Sequence, residues 1–285
     1  LITAYLELGR ISEIEAENDR YATLAEDSGL RQFRWYVGAT KCMLAMMRGE
    51  IDTADELAMD YQSIAGDHAD HNFSQTFAAQ FALREMERDR SAHVLPLVER
   101  IARMNPSVLS WKASVPWFRW DSGDHKGSRE ALDTVSQTDI EALACEPGGG
   151  VGLALLAEVS SELGSKAQCE VLQQVVEPLR KTFASGGYGV VYLGSFYRYS
   201  GLLAWSLEEK EKSIRHLKSA IRAESRHGAR TWRGYAAADL SSRTAALRGE
   251  SDARSQQART EAAALRHDQH SRLSRRIDEA CNRSI

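Results

Sequence analysis

Residues 209–228 read EKEKSIRHLKSAIRAESRHG, and the spacing inside this stretch decides the fold. Ile214, Leu217 and Ile221 recur at helical intervals on one face, while Arg215, Lys218, Arg222 and Arg226 fall on another. Gly228 then supplies a residue that can close a helix with positive φ. Just before the stretch, WSLEEKE around Leu207 is a polar turn, so the segment reads as one amphipathic helix held between two breaks.

Both breaks recur along the chain. Turns like the one at Leu207 stand at Gly9, Gly49, Gly123, Gly164 and Gly249, at intervals of 40, 74, 41, 43 and 42 residues. The long interval holds two units if MERDRS near Asp89 is a degenerate turn. Turns like the one at Gly228 stand at Gly29, Gly66, Pro106, Pro147 and Gly186, again close to forty residues apart. Two interleaved series with one period imply two helices per unit. After the first kind of turn a small residue and its partners four and seven positions on recur as Ala54, Ala58, Tyr61, as Ser128, Leu132, Val135 and as Ser213, Leu217, Ala220. The pattern resembles the tetratricopeptide repeat with a longer period. It predicts an all-α, TPR-like α-solenoid over residues 1–285, about seven helix pairs in a right-handed stack, each burying its apolar face against the next. Helix is expected over more than about 65% of the chain, with no sheet.

The composition agrees: 43% hydrophobic and 27% charged residues, with only 5 Pro, favour a globular helical protein over a disordered chain. No apolar run reaches membrane-spanning length. The four cysteines, at 42, 145, 169 and 281, form no C-x-x-C pair, which points to free thiols of a reducing cytosol. The chain opens on Leu1 within an amphipathic pattern, the expected start of a segment excised from a longer cytoplasmic polypeptide. Charge is uneven. Residues 210–285 hold 17 Lys+Arg against 9 Asp+Glu, whereas 1–209 hold 19 against 31. A basic quarter of this kind meets either nucleic acid or an acidic neighbour that packs there.

SGGYGVVYLG at 185–194 looks like a kinase glycine loop, but no V-A-I-K-like strand, H-R-D or D-F-G follows it. Gly186, Gly187 and Gly189 are therefore expected to form a surface connection between repeats.

At residues 192–250 the order Y-x-G-x-x-x-x-x-x-G-L-L-A, a loop, H-x-x-x-A-I, H-G-A-R-x-W and R-G resembles the C-terminal helical-repeat region of bacterial multidomain regulators. In those proteins a STAND or AAA-type ATPase module is joined to an adenylate or guanylate cyclase domain or to a LuxR-type DNA-binding domain. The resemblance extends to NPSVLSWKASVPWFRWDSGDHKGSREALDTV and VGLALLAEVSSELGS. It implies a regulatory platform with no catalysis of its own, since the family's chemistry lies in other domains and this chain has no G-x-x-x-x-G-K-[ST] loop. No cofactor is implied. The expected partners are a protein or other domains of the parent chain, with room for a small-molecule effector. A nucleic-acid-binding helical repeat is the alternative.

The candidate interaction surface comprises Trp111, Trp117 and Trp120 around Pro116, Tyr197 near the tetratricopeptide Trp position, and Arg226, Arg230 and Arg233 at the H-G-A-R-x-W turn. Each has a plainer reading. The indoles pack between stacked helices, and the arginines cap helix ends or face water. Trp232 is expected to be a buried staple between repeats. DHADH (Asp67, His68, Asp70, His71) and the H-x-x-H of His267 and His270 carry metal-ligand residue types, but both fall at unit ends where polar residues are ordinarily solvated. EPGGGVG, with no Lys or hydroxyl beside its glycines, reads as a hinge before a helix rather than a phosphate cradle.

Overall fold

The computed structural model describes residues 1–29, 31–66, 70–146, 148–249, 252–265 and 271–282. Among the described residues 80% are helical. Among the described residues the helices fall into successive pairs. These are α1 (Ile2–Glu7) with α2 (Ile11–Asp27), α3 (Arg31–Arg48) with α4 (Ile51–Ala65), α5 (His71–Glu87) with α6 (Ser91–Met104), and α7 (Leu109–Asp121) with α8 (His125–Asp133). A short α9 (Gln137–Leu143) precedes α10 (Gly149–Leu163) and α11 (Lys166–Leu179). Two strands, β1 (Phe183–Gly186) and β2 (Val191–Ser195), then lead into α12 (Phe196–Ser206) with α13 (Lys210–Arg226), α14 (Arg230–Arg248) with α15 (Ala253–Ala263), and a final α16 (Ser271–Asn282).

The turn inside a pair is one structure used five times. The N–H groups of Gly9, Gly49, Asp89, Gly123 and Glu208 donate to the carbonyl three residues back, and those of Arg10, Glu50, Arg90, Asp124 and Glu209 to the carbonyl five back. This is the Schellman closure of a helix, which needs a left-handed residue at its centre. All five central residues have positive φ, including the non-glycines Asp89 at 61° and Glu208 at 66°. The degenerate turn at Asp89 is thus a full member of the series, and the left-handed residue of the next is Glu208, one place after Leu207. Gly164 departs from the pattern with an extended φ of −72°. There Ser165 caps α11 by accepting from the Gln168 N–H.

The recurrent small positions close the pairs: Ala54, Ala58, Tyr61, Ser128, Leu132, Val135, Ser213, Leu217 and Ala220 are all buried. The first helices of the later pairs are buried over most of their circumference, as the apolar run of α10 and the residues of α12 and α14 show. α13 buries one stripe only, Ser213, Ile214, Leu217, Ala220 and Glu224.

The row of pairs curls until its ends meet. α14 packs against α3, and the Thr231 hydroxyl donates to the Met46 carbonyl over 2.9 Å. The β1–β2 hairpin fills the space so enclosed. Its strands pair antiparallel through Ser185 with Tyr192 and Gly186 with Val191. The Gln80 side chain on α5 donates to the carbonyls of both Val190 and Ala39, each at 2.8 Å. Tyr192 donates to Glu224 on α13 over 2.6 Å. The SGGYG stretch is therefore not the open surface connection expected of it. Both strands are buried, and at the tip only Gly187 and Tyr188 are exposed. Val190, Val191 and Leu193 supply the reason, since an apolar strand between two glycine-permitted bends is stable only when covered.

Candidate functional site

The three tryptophans of α7 have three different fates. Trp117 is buried and donates its Nε1–H to Glu158 on α10 at 3.3 Å. Trp120 is partly buried against it, ring centroids 6.1 Å apart, with the Arg276 guanidinium 5.7 Å from its ring centre. Trp111 points elsewhere, donating to the Gln75 carbonyl oxygen on α5 over 3.0 Å. The indoles therefore do not form one surface. Tyr197 lies against His216, 5.8 Å between rings, and belongs to the α12–α13 pair. Arg226 and Arg230 are exposed and Arg233 is half-buried. Trp232 is buried in the first turn of α14, packed on Tyr235 at 5.3 Å.

Trp117 belongs to a buried ionic cluster that joins four inner helices to α16. Arg198 on α12 reaches Glu158 at 2.8 Å and Asp239 on α14 at 2.7 Å, all three nearly inaccessible to solvent. Arg272 on α16 reaches Asp121 on α7 at 2.9 Å, and Arg276 reaches Asp239 at 3.0 Å. The Arg272 guanidinium also lies over the rings of Trp117 and Tyr235, at 4.7 and 4.9 Å. Burial alone would raise the carboxyl of Glu158, but Arg198, aided by Arg272 and Arg276, holds it well below the usual carboxylate range. Asp239 is likewise lowered, burial being outweighed by Arg198, Arg276 and Arg243. Arg275 pairs with Asp89 at 2.7 Å and Arg248 with Glu211 at 3.3 Å. Much of the basic C-terminal quarter is thus spent on acidic residues of this same chain.

The hairpin closes a second, quite different place. Between α5, α7, the start of α10 and the hairpin tip lies a cavity of about 370 Å³. Trp111, Leu83, Phe118, Val151, Leu155 and Val190 give it apolar walls, and Asn72, Gln75, Thr76, Ser110 and Ser114 give polar points. Two glycine-rich runs meet at its rim. Gly148 has φ +82°, and a Cβ there would lie 3.1 Å from the Gly187 nitrogen, so side chains would hold the two loops apart. Ser110 ties the same loop to α7 by donating to the Gly148 carbonyl over 3.2 Å.

Glu146 places a carboxyl group in this wall. Burial raises its carboxyl above the ordinary value, partly offset by the Leu109 backbone N–H. Its Oε2 is buried with no hydrogen-bond partner among the described residues. EPGGGVG therefore presents an acid to the cavity, an arrangement that repels phosphate. A larger cleft of about 580 Å³ runs beside α16, but Asp121, Glu162, Arg275, Arg276 and Glu279 along it are already paired within the chain.

Asp70 accepts from the Phe73 N–H as the N-cap of α5, with His71 exposed in its first turn. Asp67, His68, His267 and His270 lie outside the described residues. No group of three or more potential metal ligands occurs among the described residues, and no described helix is long and apolar enough to cross a membrane. Cys42 and Cys169 are buried free thiols, each raised to about 11 by burial. Sequence reasoning located Trp111 and both glycine runs but not their convergence, and it passed over Glu146, whose place at the head of EPGGG was the available signal. Comparison with known proteins finds no matching family model and no matching curated sequence.

Proposed function

We propose that this chain is a non-catalytic regulatory module, a helical-repeat segment of a cytoplasmic bacterial signalling ATPase of the cyclase-linked or transcriptional kind, which senses a small molecule and passes its state to a protein partner or to other domains of the parent. The observation that carries the sensing role is the cavity of about 370 Å³ under the hairpin, apolar with a few polar points and within the size range of small-molecule sites. The interior that a helical-repeat protein commonly offers to a peptide is here occupied by the hairpin and, through its arginines, by α16, which favours a small effector over an extended chain. The regulatory role rests on the resemblance of residues 192–250 to regulator repeats.

A thermal-shift screen of the whole chain against a metabolite library tests this reading. A ligand at about one hundred times its Kd stabilises a protein by about 2.7 kcal/mol, enough for a clear rise in melting temperature. Ala79→Phe, which fills the cavity from α5, should abolish that rise. A shift that survives Ala79→Phe places the ligand elsewhere, and a library without effect counts against sensing altogether.

A further inference from the structure

We propose that the cavity binds a small, mostly apolar molecule bearing one ammonium group, with Glu146 as its counter-ion. The inference rests on the reading of the cavity as a ligand site and adds the chemistry of the ligand.

Among the described lining residues Glu146 is the single carboxylic acid, and no Lys, Arg or His stands with it. Its Oε2 is shut away from water without a hydrogen-bond partner among the described residues. The side chain as a whole is half-buried and already takes the Leu109 N–H, so it is at the covered oxygen that a cation or further donor would be favoured. The neutral polar groups nearby are largely committed: the Gln75 oxygen accepts from Trp111, Ser110 donates to the Gly148 carbonyl, and Ser114 donates to the Ser110 carbonyl. Asn72 and Thr76 can add neutral contacts, and the carboxylate is the charged group that can read a ligand's head, while Trp111, Phe118, Leu83 and Val190 cover an apolar body. An anionic ligand would meet like charge, and a metal ion would find one carboxylate where several oxygen ligands are needed.

Three isosteric probes separate these cases: tryptamine, tryptophol and indoleacetate, titrated calorimetrically into the whole chain at neutral pH. Tryptamine should bind most tightly and indoleacetate least. Glu146→Gln should weaken tryptamine by about ten- to a hundredfold, the range for a hydrogen bond to a charged group, and bring it level with tryptophol. Glu146→Asp, which keeps the charge, should retain the preference for the amine. Circular dichroism establishes that each variant is folded. The amine preference should also fade as pH falls and the carboxyl takes up its proton. If tryptamine binds Glu146→Gln as well as the parent while Ala79→Phe abolishes all binding, the ammonium assignment is overturned and the cavity remains a ligand site. If Ala79→Phe changes nothing, or no probe binds at millimolar concentration, both readings fail.

Discussion

Arg272 and Asp121 are 151 residues apart in sequence and 2.9 Å apart in space, and both are almost wholly buried. The pair ties the last described helix to the middle of the chain. Removing the cation leaves Asp121 and Glu158 in the interior with less compensation, and breaking a buried pair from one side costs about 3–5 kcal/mol. Arg272→Met, which keeps much of the volume, should therefore lower the denaturant midpoint by a loss of that size. Hydrogen exchange should show α16 opening before α10 or α12. Unchanged protection of α16 would mean that its apolar residues Leu273, Ile277 and Ala280 hold it without the charge.

Glu224 gives the fold an unusual pH dependence. Burial raises its carboxyl from 4.5 to about 7, although Tyr192 and the Ser195 N–H both donate to it. With the folded value above the unfolded one, the native state binds more protons between those limits. Stability from this group is thus greatest below about pH 4.5 and falls as pH rises to about 7, by about 3 kcal/mol in all. Glu158 and Asp239 work in the opposite sense at lower pH, so the test is a difference between proteins. Urea unfolding of the parent and Glu224→Gln at acidic and at neutral pH should show a smaller loss on raising the pH in the variant. Equal losses would assign the titration to another group.

The helix pairs were legible in the sequence because their determinants are local. A 3.6-residue period and a left-handed closing residue lie within one turn of the helix they specify, and so Asp89 could be placed in the series without a glycine. What depends on distant contacts was not legible. Thr231 meets Met46 across 185 residues, and Gln80 meets Val190 across 110. Nothing in either neighbourhood names the other. Trp111, Trp117 and Trp120 share one helix, but which indole faces the cavity and which faces Glu158 is decided by α5 and α10. The basic C-terminal quarter was legible as charge and not as destination. Glu158 within VGLALLAEV and Arg198 within FYRYS were the signals, because a lone charge in an apolar helix has to be paired.

Glu208 holds φ 66° at the turn between α12 and α13, where four sister turns use glycine or Asp89. A side chain in the left-handed region costs about 1–2 kcal/mol, partly offset by the greater freedom glycine has when unfolded. Glu208 is exposed. Glu208→Gly should accordingly raise stability by up to about 1 kcal/mol, visible as a higher melting temperature with unchanged circular dichroism. A fall would show that the side chain contributes more than its backbone strain removes.

Trp232 distinguishes a structural H-G-A-R-x-W turn from a recognition surface. Its indole is buried at the start of α14, and the α-carbon of Gly194, with φ +85°, faces it so closely that an added Cβ would lie 3.0 Å from the Trp232 Cβ and Cγ. The ring therefore seats β2 as well as α14. Trp232→Ala should cost about 3–5 kcal/mol, as large aromatic truncations in a core do, and should loosen the hairpin and the last pairs first, since neighbours in a repeat stack share their stability. Arg230→Ala, at an exposed side chain, should change stability by less than about 1 kcal/mol. Because the hairpin also forms a wall of the cavity, Trp232→Ala should weaken cavity ligands without touching the lining itself. Melting curves for the two variants, with titration of a cavity ligand into each, decide the matter. If Trp232→Ala melts like the parent and instead loses a nucleic acid or a protein partner, the turn is a recognition surface.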